Sequence, residues 1–534
     1  MSAGLAERPA DALVAQLAQA LGDAAVSTDA GRLDLLARDV YRQGGLPMCC
    51  VRPVSVAALQ QAVRLCAAAG VAMVPRGGGA SYTDGYLLPA GGHVLFDLGA
   101  LDHIEVDTDN AVVSVGAGTT WAALRERLAA QGLRTPFWGP FSGLVASVGG
   151  SVSQNAVSHG SGAYGISAPS VLAMDVVLAS GELLSTGVAS STRHFGPDLT
   201  GLFTGDCGAL GIKATLRLPL LAARRSFEAL SFAFDDFTAF HTGLRAATLA
   251  GLDDEHFGLD VALSQGQIGK QDDLGSRLRI AAGVLRNAPN PLAGARQLAR
   301  MAWAGTRVLT GGAYMLHFIV EGSSGAEARA KAASLRQLLA SSGHEITNSV
   351  PTFVRAMPFA PLNNTLGPGG ERWVPLHGVL PHGAVAGFHA ALARLYERRR
   401  ETMQRLGVWT GAMFCGIGST GLLYELAIYW RDARTAYHAS VIDAASLAAL
   451  PQHASHPEAA ACVDELKREL VALYAEHGAA HFQLGRAYPY LPRLAPPARA
   501  LVQALKNTLD PQGLMNPGAL GLATGVPPAA GSTP

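Results

Sequence analysis

Three segments rich in glycine and serine have the composition and spacing expected of a binding site for a long ligand. They are Pro75 to Ser81 (PRGGGAS), Phe141 to Gly165 (FSGLVASVGGSVSQNAVSHGSGAYG) and Phe203 to Leu218 (FTGDCGALGIKATLRL). A single loop of this kind is usually only a turn. Three of them in one part of a chain, each free of bulky side chains, predict a ligand lying against the backbone. A pyrophosphate with flanking nucleosides fits, because backbone N–H groups can hold its charge.

A predicted βαβ unit positions the first of these loops. CCVRPV predicts a strand, and Ser55 can cap the helix SVAALQQAVRLCAAAG. Leu59, Val63 and Cys66 share one face of that helix before Gly70 ends it. VAMVP then predicts a second strand, which leads directly into the glycines.

A weaker dinucleotide-like motif follows in NAVVSVGAGTTWAALRERLAAQG. Gly116 and Gly118 form a Gly-x-Gly, and Thr120 and Gly132 are predicted to begin and end the helix. Trp121 occupies the place of the third glycine, and no acidic residue follows in a ribose-binding context. We therefore interpret this motif as a structural turn.

Composition limits the classes of partner. The 534 residues, 49% hydrophobic and 15% charged, predict two or more domains with large cores. Equal numbers of basic and acidic residues, 41 of each, give no electrostatic basis for a nucleic-acid or anionic membrane partner. No apolar run has the length of a membrane span, and the N-terminus predicts an amphipathic helix rather than a secretion signal. Six cysteines without metal-ligand or paired spacing favour reduced thiols in a cytoplasmic protein without a metal site.

The pattern changes between about Leu221 and Ala480. Amphipathic helices such as AEARAKAASLRQLLASSG alternate with β-rich runs such as GGAYMLHFIVEG and LLYELAIYW. This alternation predicts an α+β domain built on an antiparallel sheet. The loop PLNNTLGPGGERW is predicted to lie beside a cavity, and the tail GLATGVPPAAGSTP is predicted to be disordered.

These motifs, in this order, resemble the FAD flavoproteins of the vanillyl-alcohol oxidase and p-cresol methylhydroxylase family. The resemblance covers nearly the whole chain and includes LDPQGLMNPGAL near its end and WVPLHGVLPHG in its middle. It implies an α+β fold with a two-part FAD-binding domain, residues 1–220 and 480–534. An α+β cap, the substrate domain, would be inserted as residues 221–479.

The resemblance also implies which residues bind FAD. The first loop would hold the pyrophosphate, the second segment would line the flavin and its phosphates, and the third would enclose the adenine side. The closing segment would lie near the flavin ring. In that order the residues are Pro75, Arg76, Gly77, Gly78, Gly79, Ala80 and Ser81; Ser142, Ser147, Gly149, Gly150, Gln154, Asn155, Ala156 and Val157; Asp206, Gly208, Gly211 and Ile212; and Asn516.

Two departures from the family predict that the flavin is not covalently attached. Many relatives carry a flavin-linked histidine just before the serine of the first loop, where this chain has Ala80. The cap strand to which other relatives attach flavin reads GLLYELAIYW, with Leu422 or Leu423 nearest the position. Tyr424, the next residue, is the alternative attachment point.

The substrate region also departs from the family. Phenol-oxidising relatives present a Tyr-Arg pair that stabilises a phenolate, and Phe482 and Gln483 occupy that place here. Either Arg486, a little further on, supplies the cation, or the substrate is not a para-substituted phenol. Flavoenzymes that oxidise D-lactate, glycolate or D-2-hydroxyglutarate have a more similar first loop, but their histidine-rich Gly-Asp-Gly-Asn metal motif is missing.

The expected catalytic residues come from the same stretches, with a structural or surface role as the alternative for each. His481 is a candidate base or substrate ligand, and the resemblance places His377 near the substrate. Tyr424 and Glu425 must face opposite sides of their strand, and the sequence does not select the one that faces the cavity. The full set of expected catalytic residues is Arg486, His481, His377, Gln483 and Tyr488.

The sequence therefore predicts an FAD-dependent oxidase or dehydrogenase. Hydride would pass from a C–H bond of an alcohol or aromatic substrate, including a para-substituted phenol, to flavin N5. One alternative is a D-2-hydroxy-acid dehydrogenase in which Arg486 grips the carboxylate, and another is a flavin-binding protein without turnover. Oxygen or another electron acceptor is the expected second partner, and a homo-oligomer is left open.

Overall fold

A computed structural model describes most of the chain and divides it into two compact units. Unit 1 comprises Met1–Ala156, Ser167–Leu221 and Gln483–Pro534, and unit 2 comprises Val157–Ile166 and Ala222–Phe482. The described residues are 9–187, 193, 195–224, 226–267, 281–285, 291–304 and 312–522. Residues 523–534, which include most of the tail predicted to be disordered, lie outside them.

The secondary structure alternates in the first part of the chain and becomes mixed in the middle. The strands are β1 (Val26–Ser27), β2 (Cys49–Val51), β3 (Met73–Arg76), β4 (Val94–Asp97), β5 (Ile104–Asp107), β6 (Val112–Gly116), β7 (Leu133–Arg134), β8 (Ala173–Val177), β9 (Leu183–Ser185), β10 (Ile212–Pro219), β11 (Leu221–Ala222), β12 (Ser226–Phe234), β13 (Glu255–Asp260), β14 (Tyr314–Gly322), β15 (His344–Ile346), β16 (Arg372–Pro381), β17 (Trp409–Ile417) and β18 (Gly421–Trp430). The α-helices include α1 (Pro9–Leu21), α2 (Ala30–Leu36), α3 (Val56–Ala68), α4 (Trp121–Ala129), α5 (Val148–Gln154), α6 (Ser161–Tyr164), α7 (Leu199–Leu202), α8 (Phe237–Ala250), α9 (Val261–Gln267), α10 (Pro291–Ala304), α11 (Gly325–Leu339), α12 (Ser349–Ala356), α13 (Val385–Leu406), α14 (Ala436–Val441), α15 (Ala444–Ala449), α16 (Pro457–Glu476) and α17 (Pro496–Leu509).

Unit 1 contains the predicted βαβ arrangement. Its four-stranded sheet has the order β1-β2-β4-β3, in which β2 and β3 both run parallel to β4. Ser55 caps α3 by accepting a hydrogen bond from the Ala58 N–H, and Thr120 caps α4 in the same way. A five-stranded antiparallel sheet, order β5-β6-β10-β8-β9, completes the unit. Gly116 and Gly118 pack against main-chain atoms of Leu101 and Leu98, as expected of a structural turn.

The C-terminal segment extends the four-stranded sheet of unit 1. The Met73 N–H donates to the Leu514 carbonyl, and the Met73 carbonyl accepts from the Asn516 N–H, each at 2.8 Å. Lys506, only 2% exposed, donates from Nζ to the Asp510 carboxylate and to two main-chain carbonyls. A buried ammonium therefore holds this segment in place.

Unit 2 is built on a seven-stranded antiparallel sheet, order β15-β12-β14-β13-β17-β18-β16. The prediction of an α+β fold with an antiparallel sheet is confirmed. Helices α8, α13 and α16 cover one face of β18, where Phe237, Phe388 and Tyr474 surround Tyr424. The segment 157–166 joins this unit through His159, whose Nε2–H donates to the Pro358 carbonyl at 2.7 Å.

No helix in the part of the chain that the structure describes combines the length and apolar character needed to cross a bilayer.

Replacing Lys506 tests the buried ammonium. Lys506→Ala leaves the Asp510 carboxylate buried without its cation, so we expect unit 1 to lose about 3–5 kcal/mol of stability. Chemical denaturation followed by circular dichroism measures the loss. Arg405→Ala, which removes an exposed pair with Glu458, is the control and is expected to leave the midpoint unchanged. An unaltered midpoint for Lys506→Ala would contradict the argument.

Candidate functional site

The first two glycine-rich segments pack main chain against main chain. A Cβ atom on Gly78 would overlap the carbonyl oxygen of Val145, and one on Gly77 would overlap the Ser147 hydroxyl. Gly79 has φ +73°, a conformation that side chains rarely adopt. Contact between two loops of unit 1 therefore requires Gly77 and Gly78, and the backbone conformation requires Gly79, independently of any ligand.

The first loop also leaves backbone donors available to an anion. In the described part of the chain, the N–H groups of Gly77, Gly78, Ala80 and Ser81 donate to no protein acceptor. The Arg76 guanidinium lies 5.2 Å from the centre of the Tyr86 ring. Successive N–H groups that point outward form a concave site of the kind that binds phosphate.

The second segment uses its donors internally. At the start of α5, Val148 and Gly149 donate to the carbonyls of Thr119 and Ala117, and Gly150 donates to the Ser147 hydroxyl. A Cβ on Gly149 would lie 2.6 Å from the Ala117 Cβ. Ser147 is thus a helix cap and Gly149 a packing residue, so the N–H groups that remain available to an anion belong to the first loop rather than to the start of α5.

The end of α5 connects to the remaining loops of unit 1. The Gln154 carbonyl accepts from the Gln483 N–H at 2.6 Å, and its side-chain oxygen accepts from the Cys207 thiol at 3.4 Å. Asn155 ends the helix with φ +53°, and its Oδ1 is a buried acceptor without a protein partner among the described residues. Ala156, only 3% exposed, donates its N–H to the Ser151 carbonyl.

The third segment folds around a buried carboxylate. Asp206 accepts from the N–H groups of Gly208 and Leu210 and pairs with Lys213. A Cβ on Gly208 would lie 2.6 Å from Pro75 Cγ, so this loop touches the first one. Gly211 packs on Val176, and the Ile212 side chain lies in the hydrophobic core. Those two residues can therefore offer only main-chain atoms to a ligand.

Arg486 and Asn516 lie where the loops meet. Arg486 donates from both terminal nitrogens to main-chain carbonyls and to Asn516 Oδ1, and Asn516 Nδ2 donates to the carbonyls of Gly85 and Cys207. Burial lowers the pKa of Arg486 to about 10. Tyr488 is 3% exposed. In the second segment, the Ser142 carbonyl accepts from the N–H groups of Val145 and Ala146.

Backbone strain concentrates at the same junction. Left-handed φ values are uncommon for residues other than glycine and often mark functional sites. Five such residues lie in these loops and have φ between +41° and +58°: Asp84, Asn155, Cys207, Gln483 and Asn516. The loops of unit 1 therefore hold five non-glycine residues in the left-handed conformation, which is strained for residues with a side chain.

His377, His481 and Phe482 form a separate cluster in unit 2. The His377 ring is fully buried and stacks on Phe482, with centroids 3.9 Å apart and planes 9° apart. His481 Nδ1–H donates to the His377 carbonyl at 2.7 Å. Val157, expected to contact the cofactor, packs in unit 2 against Leu423 and Phe482.

The structure resolves which side of β18 carries which side chain. Tyr424 is 2% exposed beneath the helices, where its hydroxyl pairs with His389 Nδ1 at 3.0 Å. Glu425 lies on the other face, directly opposite His377 of β16 and Met413 of β17. Burial raises the pKa of Glu425 to about 7.

Sequence reasoning missed Asp39, which organises the first loop. This 1%-exposed carboxylate accepts from the N–H groups of Tyr41, Arg42 and Asp84 at 2.7–3.0 Å. Burial, with the Asp84 charge, raises the pKa of Asp39 to about 7. Asp39 lies 45 residues from Asp84 in a segment without a motif, so no sequence signal pointed to it.

Comparison with known proteins agrees with this geometry. Residues 47–187 match a family model described as an FAD binding domain. The glycolate oxidase subunit GlcD of Bacillus subtilis is 27% identical over 236 residues, which cover 42% of this chain and 50% of that protein. The chain thus spans about half the length of the curated relative.

Solved structures match over nearly the whole chain. A p-cresol methylhydroxylase with substrate bound superposes with a TM-score of 0.70 and 18% identity, covering 97% of this chain and 98% of its own. A 4-ethylphenol oxidase from Gulosibacter chungangensis, in an isoeugenol complex, gives 0.69 and 16%, with 98% of both chains covered. At these identities the likeness establishes the fold.

A methyl group at Gly78 tests the loop contact. Gly78→Ala would force the first loop away from Val145. We therefore expect the Kd for FAD to rise by about tenfold or more. The ratio of flavin to protein absorbance in the purified protein, and a titration of the apoprotein, measure the effect.

Gly31→Ala is the matched control, because a Cβ there meets only Asp29 Oδ1 at an ordinary 3.5 Å. Full flavin content in Gly78→Ala would show that the contact does not shape the site.

Proposed function

We propose that this protein is an oxidoreductase acting on a neutral alcohol or aromatic substrate. The basis is that the chain is an FAD flavoprotein with the fold of the vanillyl-alcohol oxidase and p-cresol methylhydroxylase family. When bound, FAD supplies the two-electron acceptor for the substrate hydride. The observation that carries the proposal is the contact between the first two side-chain-poor loops, both of which lie within residues 47–187, the stretch that matches an FAD binding domain. Oxygen or another acceptor would then remove the electrons.

Residues of unit 1 would hold the cofactor by their main chain. The free N–H groups of the first loop suit the pyrophosphate charge, and the unpartnered Asn155 Oδ1 suits a donor of the ligand. Ala80 has no nucleophile, and Tyr424 is committed to His389 beneath the helices. We therefore propose that FAD is bound non-covalently, so that acid precipitation should release all of the flavin into the supernatant.

Glu425 is the proposed proton acceptor in unit 2. A general base works best when its pKa lies near the operating pH, and burial brings Glu425 there. The carboxylate would take the substrate O–H proton as the C–H bond gives up hydride and a carbonyl forms. His377, which lies opposite Glu425, is buried and stacks on Phe482, so it would support the position of β16 beside the proposed base.

The charge of this face favours a neutral substrate. Among the described residues of β16, β17 and β18 that share the face of Glu425, none is Lys or Arg. A substrate carboxylate needs a cation or several donors when it leaves water. Both terminal nitrogens of Arg486 are already engaged by acceptors of unit 1.

A D-2-hydroxy acid is the second candidate substrate, favoured by the similarity to a glycolate oxidase subunit. Anaerobic mixing with a panel of primary alcohols, para-alkylphenols, D-lactate and glycolate separates the candidates. Bleaching of the flavin band by neutral compounds alone supports the proposal, and bleaching by hydroxy acids alone replaces it. Bleaching by no compound would favour a flavin-binding protein without turnover.

Substitution of Glu425 tests the base. The wild-type rate constant for flavin reduction should rise as the pH increases through about 7, because only the ionised carboxylate accepts a proton. Glu425→Gln should lower that rate by about a hundredfold or more and flatten the pH profile. Stopped-flow reduction across pH 5–9, about two units either side of that pKa, measures both effects.

Glu345→Gln, which alters an exposed acid of β15 in the same sheet, should keep the wild-type profile. A pH-dependent profile that survives in Glu425→Gln would assign the proton to another group.

A further inference from the structure

Arg486 connects segments of unit 1 that are far apart in the sequence. Nη1 donates to the Asp84 carbonyl at 2.8 Å, and Nη2 donates to the Pro517 carbonyl and to Asn516 Oδ1, each at 2.7 Å. Asp84 and Arg486 are 402 residues apart. The planar guanidinium can satisfy several acceptors at once in a fixed geometry, which an ammonium cannot.

Asn516 completes the connection on the opposite side. Its Nδ2 donates to the Gly85 carbonyl at 2.9 Å and to the Cys207 carbonyl at 2.6 Å, while its Oδ1 accepts from Arg486. Asn516 is 1% exposed and has φ +41°. One buried amide thus joins the residues just after the first loop, the third loop and the closing segment.

The residues just after the first loop are held from two directions. Asp39 accepts the Asp84 N–H at 3.0 Å, while Arg486 takes the Asp84 carbonyl. The peptide groups on either side of Asp84, which has φ +58°, are therefore both anchored. The first loop, which ends at Ser81, is therefore followed directly by an anchored stretch of backbone.

We propose that Arg486 and Asn516 are a coupled pair of positioning residues for FAD, and that Arg486 does not bind the substrate. They fix the exit of the first loop against the third loop and the closing segment, so that the free N–H groups are preorganised for the pyrophosphate. The inference rests on FAD binding and not on the proposed substrate, so its test is independent of any turnover.

A double-mutant cycle on FAD affinity tests the coupling. Apoproteins of Arg486→Lys, Asn516→Ala and the double variant are titrated with FAD, and Kd is read from quenching of flavin fluorescence. Each single variant should weaken binding about tenfold or more, because hydrogen bonds to a charged group are lost. The double variant should be no weaker than the weaker single variant, as coupled residues require.

Kinetics at saturating FAD distinguish positioning from substrate binding. Arg486→Lys should keep the wild-type KM for the substrate identified by bleaching once its flavin site is filled. A raised KM with an unchanged Kd for FAD would assign Arg486 to the substrate and overturn the proposal, as would strictly additive losses in the cycle.

Two further variants secure the interpretation. Arg434→Lys is the matched control, because Arg434 likewise donates to three main-chain carbonyls but lies in unit 2. It should leave FAD affinity unchanged. Asp39→Asn keeps the shape but replaces one of the two accepting oxygens with an NH2 donor, so the N–H groups of Tyr41, Arg42 and Asp84 can no longer all be accepted and FAD binding should also weaken. Wild-type affinity in a folded Asp39→Asn protein would overturn the claim that the anchored loop sets the affinity.

Discussion

Direct contact between the loops of unit 1 is the constraint on which the proposed cofactor site depends. The Val145 carbonyl occupies the place of any side chain at Gly78, and Pro75 does the same at Gly208. Such contacts leave no room for side chains between the loops, so the backbone itself becomes the binding surface. A diphosphate suits that surface, since its charge can be spread over several N–H groups rather than matched by one cation.

Composition alone predicted where a site would lie, because glycine and serine accumulate where the backbone must come close to other atoms. It did not reveal what comes close. Gly149 is required by Ala117, and Gly211 by Val176, so in both cases the neighbour is protein rather than ligand. A glycine in the sequence indicates that a side chain does not fit at that position. It does not indicate which atoms fill the space, because they belong to a distant segment.

Orientation was the second limit of sequence analysis. Strand alternation showed that Tyr424 and Glu425 face opposite sides, but the choice between them depends on which face the helices cover. Helix α13 supplies His389 and Phe388 to the Tyr424 side, and neither could be assigned to that face from periodicity in β18. Arg486 raises the same difficulty, since its acceptors near Asp84 lie about four hundred residues away.

Several buried or partly buried cations of the chain already bind internal acceptors. Only 15% of the residues are charged. Several of the cations donate to internal main-chain carbonyls: Lys506 and Arg486 in unit 1, and Arg434 in unit 2. A cation with engaged donors cannot also grip an incoming carboxylate without losing those bonds. Glu425 lies directly opposite His377 in the sheet of unit 2, and the described residues of β16, β17 and β18 on that face include no Lys or Arg. In the proposed function this acid would accept a proton but could not neutralise an anion, and that is the basis on which we propose a neutral hydroxyl compound.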